Sequence, residues 1–142
     1  MHRILRNGIL AGILAFACTQ AFAGTIVIMS AKSPVKSLTK ADVAALYLGK
    51  TSSVPGGGSA KLYDLAETNP GREKFYLGAT GKSASQVKSV WSRLVFSGRV
   101  LPPHEVANDA AVVKAVAADP AAVGYIDSSA LDGSVKPVFK LP

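Results

Sequence analysis

Strand-like and helix-like segments alternate along this chain, and that alternation limits the folds open to it. The β-branched run from Thr25 to Met29 is typical of a buried strand near the middle of a sheet. Further strand-like segments are found at about 61–65, 123–127 and 135–140, with helical patterns between them. The sequence therefore predicts a small α/β sandwich, with a mixed sheet of about four strands flanked by helices.

Capping residues mark the starts of four predicted helices. Thr39, Asn69, Ser83 and Asn108 each stand just before a helical pattern, and Pro70 occupies a first helical position. The helix that follows Asn69 is expected to end before Gly78. The helix that follows Ser83 has a predicted core-facing stripe at Val87, Val90, Trp91, Leu94 and Val95.

The remaining segments offer little for catalysis. The stretch 52–60, with its three consecutive glycines, is predicted to be a flexible loop and lacks the lysine of a phosphate-binding P-loop. His104 follows two prolines in a predicted loop, with Glu105 beside it, and no G-x-S-x-G motif is present. His104 is the only histidine after residue 23, and one histidine is too few for a zinc site. These residues predict a protein that is not an enzyme and that holds no metal or cofactor.

The first 23 residues have the three parts of a secretory signal peptide. Arg3 and Arg6 precede an apolar run at 8–18, and Ala21-Phe22-Ala23 forms a small-residue cleavage site. An apolar run of this length is too short to cross a bilayer. We expect a signal peptide at 1–23 and a periplasmic domain at 24–142. The alternative is a lipoprotein anchored through Cys18, but Leu14 lies one place too far upstream for a good lipobox.

Cleavage at that site would leave 119 of the 142 residues, enough for one compact domain. The only cysteine would be removed, so no disulfide is expected. Two of the 16 Lys and Arg residues would also be lost, which leaves 14 against 9 Asp and Glu and a net charge of +5. This charge favours anionic partners, while its scattered distribution argues against nucleic acid.

One helix start combines several possible anion donors. The hydroxyl of Thr68, the capping residue Asn69, the amide of Gly71 and the guanidinium of Arg72 are adjacent in sequence at the positive end of a predicted helix. This segment is the candidate anion site. The alternative interpretation makes Asn69 only a helix cap and Arg72 only a surface charge.

A second polar segment follows the helix that begins after Ser83. Ser97 and Arg99 could form a polar rim at the edge of a cleft or a partner surface. Alternatively, Gly98 ends the helix and Arg99 is a favourable charge beside the helix dipole.

Five segments taken in order resemble the phosphate-binding proteins of ABC transporters. They are 37–40 (SLTK), 46–50 (LYLGK), 72–75 (REKF), 91–99 (WSRLVFSGR) and 122–126 (AVGYI). The resemblance implies one lobe of the two-lobed periplasmic binding-protein fold. It also implies phosphate or a similar small anion as ligand, and an ABC permease or another periplasmic protein as partner.

The chain departs from the family pattern at the anion turn. The larger relatives have an arginine and a Ser-Gly-Thr turn where this sequence has Leu65 and Asn69-Pro70-Gly71. Two hypotheses follow. The chain is either a solute-binding protein for an ABC transporter, or a ligand-free interaction or sensory module derived from the same fold.

Overall fold

The computed structural model describes residues 24–98 and 100–142. The predicted signal peptide lies outside the described residues, so the boundary at residue 24 stays a prediction. The elements in chain order are β1 (Thr25–Ser30), α1 (Lys40–Tyr47), β2 (Ser53–Val54), β3 (Gly58–Ser59), β4 (Lys61–Leu65), α2 (Pro70–Thr80), α3 (Ala84–Phe96), β5 (His104–Val106), α4 (Asp109–Ala117), β6 (Ala122–Asp127) and β7 (Val135–Lys140), with a short 3-10 helix at Ser128–Ala130.

The main sheet has five strands in the order β5-β4-β6-β1-β7. Strand β1 pairs antiparallel with both β6 and β7, whereas β4 pairs parallel with both β5 and β6. The predicted mixed α/β sheet is therefore confirmed, and β1 lies in its interior as expected. The predicted count of about four strands was one too low.

The additional strand is β5, in the segment predicted to be a loop around His104. It pairs with β4 in the register Tyr63 to His104 and Leu65 to Val106. A three-residue edge strand is held by backbone hydrogen bonds and needs no apolar alternation, so its sequence carries little signal. The predicted loop at 52–60 likewise contains a small antiparallel ribbon of β2 and β3.

The four predicted helix caps are confirmed. The side chains of Thr39, Asn69, Ser83 and Asn108 each accept a hydrogen bond from a backbone N–H in the first turn of the helix that follows. Thr39 and Ser83 also form complete capping boxes. These contacts span two or three residues, and local chemistry decides them.

The predicted end of α2 before Gly78 was wrong, because the helix continues to Thr80. It ends at Gly81, whose φ of 72° is the left-handed conformation that glycine adopts without strain. At Gly78, a Cβ atom would lie 2.5 Å from Leu141 Cδ2. Glycine at that position therefore serves close packing against the chain's end.

Helices cover both faces of the sheet. Gly124 and Tyr125 are consecutive in β6, so they face opposite sides. On one side α4 approaches so closely that a Cβ at position 124 would lie 2.5 Å from Val112 Cγ1. On the other side the ring of Phe75, from α2, stacks on Tyr125. In residues 24–98 and 100–142, no helix is both long and apolar enough to cross a bilayer.

The predicted stripe of α3 is only partly buried. Val87 and Trp91 are in the core and Leu94 is half-buried, but Val95 is 40% exposed and Phe96 95% exposed. The indole N–H of Trp91 donates a 2.8 Å hydrogen bond to the carbonyl of Tyr47, at the end of α1. The second half of α3 extends past these packing partners, so the expected burial of Val95 was wrong.

Candidate functional site

A cavity of about 460 Å³ opens at the carboxyl ends of β4 and β6. Helices α2 and α4 both begin at this edge, because each follows one of the parallel strands β4 and β5. This edge of an open α/β sheet is where ligands commonly bind. The charged and amide side chains in its lining are Asn69, Lys74, Asn108, Asp109 and Asp127, and Gly71 contributes backbone.

The two helix caps tie the rim of this cavity together. The Asn69 Nδ2 group donates to the carbonyl of Ala107 at 3.5 Å, next to the cap of α4. Asn108 Oδ1 accepts the N–H of Ala111 at 2.9 Å. The positive ends of two helix dipoles therefore point to one cavity, which favours an anion there.

Charged groups of both signs line the cavity. Lys74 is exposed, and Asp109 Oδ2 accepts the backbone N–H of Asp127 at 3.1 Å. Asp127 Oδ1 accepts hydrogen bonds from the backbone N–H and the hydroxyl of Ser129 at 2.9 and 2.7 Å. These bonds, with a smaller contribution from Lys74, lower the pKa of Asp127. An anion bound here would therefore meet an ionised carboxylate as well as an ammonium group.

The structure brings two of the four predicted anion-site residues into this cavity. Asn69 and Gly71 line it, although the Gly71 N–H already donates to Asn69 Oδ1 at 2.9 Å. Thr68 is exposed and is not part of the lining. The side chain of Arg72 is 93% buried beneath the helix start, away from the cavity. Its interpretation as a surface charge was therefore wrong.

Arg72 forms a buried polar cluster with β4 and β5. Its Nη1 group donates to Glu105 Oε1 at 2.7 Å and to the carbonyl of Leu65 at 3.2 Å. Its Nη2 group lies 3.9 Å from Asp64 Oδ2. The guanidinium therefore joins helix α2 to two strands of the sheet through its Nη groups, while its buried Nε has no hydrogen-bond partner among the described residues.

Asp64 is 3% exposed and lies between two tyrosines. Tyr76 donates its hydroxyl at 2.5 Å, and Tyr125 donates a second, short hydrogen bond. Burial raises the pKa of Asp64, against the opposing effects of both tyrosines and Arg72. Burial, followed by the charge of Asp64, raises the pKa of both tyrosines, which keeps them protonated as donors.

The raised pKa of Asp64 predicts a pH-dependent stability difference between the parent and Asp64→Asn. A folded-state pKa above the unfolded value means that folding binds a proton. As pH rises from the ordinary Asp range to the higher folded-state pKa, the parent should therefore lose free energy of unfolding relative to the variant. Urea unfolding of both proteins across this range tests it, since the other carboxyls cancel. A parent that gains free energy of unfolding relative to Asp64→Asn as pH rises would contradict the expected direction.

The predicted rim residues lie elsewhere in the fold. Ser97 is exposed, and its hydroxyl donates to the carbonyl of Leu94 at 2.6 Å. Gly98 has a φ of 73° just after α3, so its predicted role as a helix stop is confirmed. Arg99 lies outside the described residues. Within the described part of the chain, no group of three His, Cys, Asp or Glu side chains could hold a metal ion.

The sequence interpretation missed four charged or amide residues that line the cavity: Lys74, Asn108, Asp109 and Asp127. Asn108 was predicted only as a helix cap. The missing signal was strand β5, whose parallel pairing with β4 places the starts of α2 and α4 at one edge. With that strand assigned, the rule for parallel strand ends would have brought both caps together.

These elements define an α/β lobe with a ligand-sized cavity at one sheet edge, and solved structures share the fold. An ABC-type phosphate transport receptor from Vibrio cholerae matches with a TM-score of 0.64 and 20% identity, over 81% of this chain and 45% of that receptor. A Clostridium perfringens protein, described as a phosphate ABC transporter substrate-binding protein with bound phosphate, matches with a TM-score of 0.66 and 19% identity, over 81% of this chain and 44% of that protein.

A third similar structure is a protein from Planctomyces limnophilus, described as a possible phosphate binding protein, with a TM-score of 0.52 and 14% identity. The match covers 81% of this chain and 40% of that protein. This chain has the fold of a single lobe and spans less than half the length of these proteins. No family model matches the sequence, and no curated protein matches it.

Proposed function

We propose that this chain is an exported solute-binding protein that takes phosphate or a similar small anion and serves an ABC transporter. The observation that carries this proposal is the convergence of two helix N-termini and Lys74 on one cavity. Helix dipoles and an ammonium group stabilise an anion, and no covalent chemistry is required of the lobe. The export route and the permease rest on the predicted signal peptide and on the family resemblance.

The two carboxylates in the cavity bear on which anion it would accept. Asp109 and Asp127 repel a fully deprotonated anion, but each can accept a hydrogen bond from an anion that carries a proton. Phosphate carries such a proton at neutral pH, and sulfate does not. We therefore expect phosphate to bind more tightly than sulfate.

Lys74→Ala is the variant that tests this site. Because the cavity is open and belongs to a single lobe, we expect the parent to bind phosphate with a Kd of about 1 mM. Loss of the exposed Lys74 ammonium should weaken binding by about fivefold, while Lys114→Ala, in the exposed last turn of α4, should leave it unchanged. Isothermal titration with phosphate and with sulfate measures both. The absence of heat at ten times that concentration of phosphate would overturn the proposal.

A second candidate function is a ligand-free interaction or sensory module. Two large apolar side chains favour it, because Phe96 is 95% exposed and Leu101 is 85% exposed. Self-association without ligand, lost in Phe96→Ser and measured by light scattering, would support this candidate. A protein that stays monomeric at every concentration would count against self-association.

A further inference from the structure

A second, larger cavity lies at the amino ends of β4 and β5, opposite the carboxyl ends that border the first cavity. Its volume is about 780 Å³, within the range of small-molecule sites. Lys61 begins β4 and His104 begins β5, whereas the first cavity lies at the carboxyl ends of β4 and β6. The segment after α1 and the loop after α3 complete the lining.

The polar part of this lining is basic. Lys50 and Lys61 both line the cavity and both are exposed, while its lining contains no Asp or Glu. Neither lysine forms an ion pair with any residue that the structure describes. The hydroxyls of Thr51 and Ser52 and the imidazole of His104 add further hydrogen-bonding groups. This composition favours an anionic group on the ligand, since two ammonium charges lack a competing carboxylate.

The rest of the lining is apolar. Trp91 contributes its indole, whose N–H already donates to the carbonyl of Tyr47, so the ring offers carbon surface to the cavity. Leu101 lines the same cavity although it is 85% exposed, and Pro102 follows it. A ligand that covered Leu101 would gain the free energy of removing that side chain from water.

We propose that this second cavity binds a small organic anion with an aromatic ring or a short aliphatic part. The anionic group lies between Lys50 and Lys61, and the apolar part packs against Trp91 and Leu101. A hydrated inorganic ion makes no use of the apolar lining, so inorganic phosphate is not the ligand of this site. The proposal is independent of the first cavity.

The test uses anilinonaphthalene sulfonate, an aromatic anion that accepts excitation energy from tryptophan. Trp91 is the only tryptophan in the chain, so energy transfer reports a bound probe from a single donor, and the paired lysine variants show whether the probe lies in this cavity. We expect saturable transfer, with affinity about fivefold weaker in the Lys50→Ala/Lys61→Ala double variant. The Lys82→Ala/Lys140→Ala double variant removes the same charge from exposed positions outside the cavity and should bind like the parent.

A neutral probe and one competitor complete the test. N-phenylnaphthylamine has the same ring system without the sulfonate and should bind more weakly than the anion, with equal affinity for the parent and the Lys50→Ala/Lys61→Ala variant. Inorganic phosphate at the concentration that saturates the first cavity should not displace the probe. Transfer that does not saturate, equal affinity of the anion for the two double variants, or displacement by phosphate would each overturn the proposal. A failure to bind phosphate alone would affect only the first cavity.

Discussion

Arg72→Ala is expected to lower the free energy of unfolding by about 3 to 5 kcal/mol. Asp64 is 3% exposed, and the guanidinium is the only cationic group within 4 Å of it among the described residues. Removal of Arg72 leaves a buried carboxylate without a counter-charge and takes a donor from the carbonyl of Leu65. It also removes the packing of the arginine over the ring of Tyr76. Urea unfolding followed by circular dichroism measures the loss.

Arg93→Ala is the matched control, because Arg93 is an exposed arginine in the last turn of α3. Its removal should cost less than about 1 kcal/mol, the size of a helix-dipole contribution. In a background of Arg72→Met, the further change Asp64→Asn should recover part of the lost stability, because the unpaired charge is then gone. Equal losses from both arginines, or an Asp64→Asn change that adds its full cost to that of Arg72→Met, would contradict the buried pair.

This pair also explains why only two of the four residues of the predicted anion site, Asn69 and Gly71, lie at the cavity. The sequence places Arg72 three residues after a helix cap, where an exposed donor is a reasonable expectation. Its partners Asp64 and Glu105 lie 8 and 33 positions away, and no local pattern identifies them. A long cationic side chain adopts the direction that its charged partners set, and that direction becomes visible only when β4, β5 and α2 are placed together.

Features that depend on a few neighbouring residues could be predicted. The capping residues Thr39, Asn69, Ser83 and Asn108 were predicted because a side chain and a backbone N–H two or three residues away settle each contact. Strand β1 was predicted because an interior strand needs a continuous apolar run. The α/β class followed from the order of these elements.

Features that depend on pairing between distant segments could not be predicted from the sequence. Strand β5 has only three residues and no apolar alternation, so its pairing with β4 creates it. The first cavity depends on that pairing, since it places Asn108 opposite Asn69. The exposure of the end of α3 could not be predicted either. The helical period indicates which residues share a face, but it does not indicate how far the neighbouring elements extend.

Phe75→Ala is expected to destabilise the protein by about 3 to 5 kcal/mol. Phe75 is fully buried in α2, and its ring stacks on Tyr125 with centroids 3.8 Å apart and planes within 4°. It also meets the edge of Tyr47 at a centroid distance of 4.7 Å. Truncation opens a cavity between the helix layer and the sheet, and thermal or urea unfolding measures the cost.

Phe96→Ala makes the same chemical change at a side chain that is 95% exposed, so it should cost less than about 0.5 kcal/mol. Similar losses at both positions would contradict the packing.

A further consequence concerns Tyr125, whose hydroxyl donates to Asp64 while its ring stacks on Phe75. If Phe75 holds that ring in place, the hydrogen bond weakens once Phe75 is truncated. The costs of Phe75→Ala and Tyr125→Phe should therefore sum to more than the cost of the double variant. This coupling would make apolar packing and the buried charge cluster one cooperative unit.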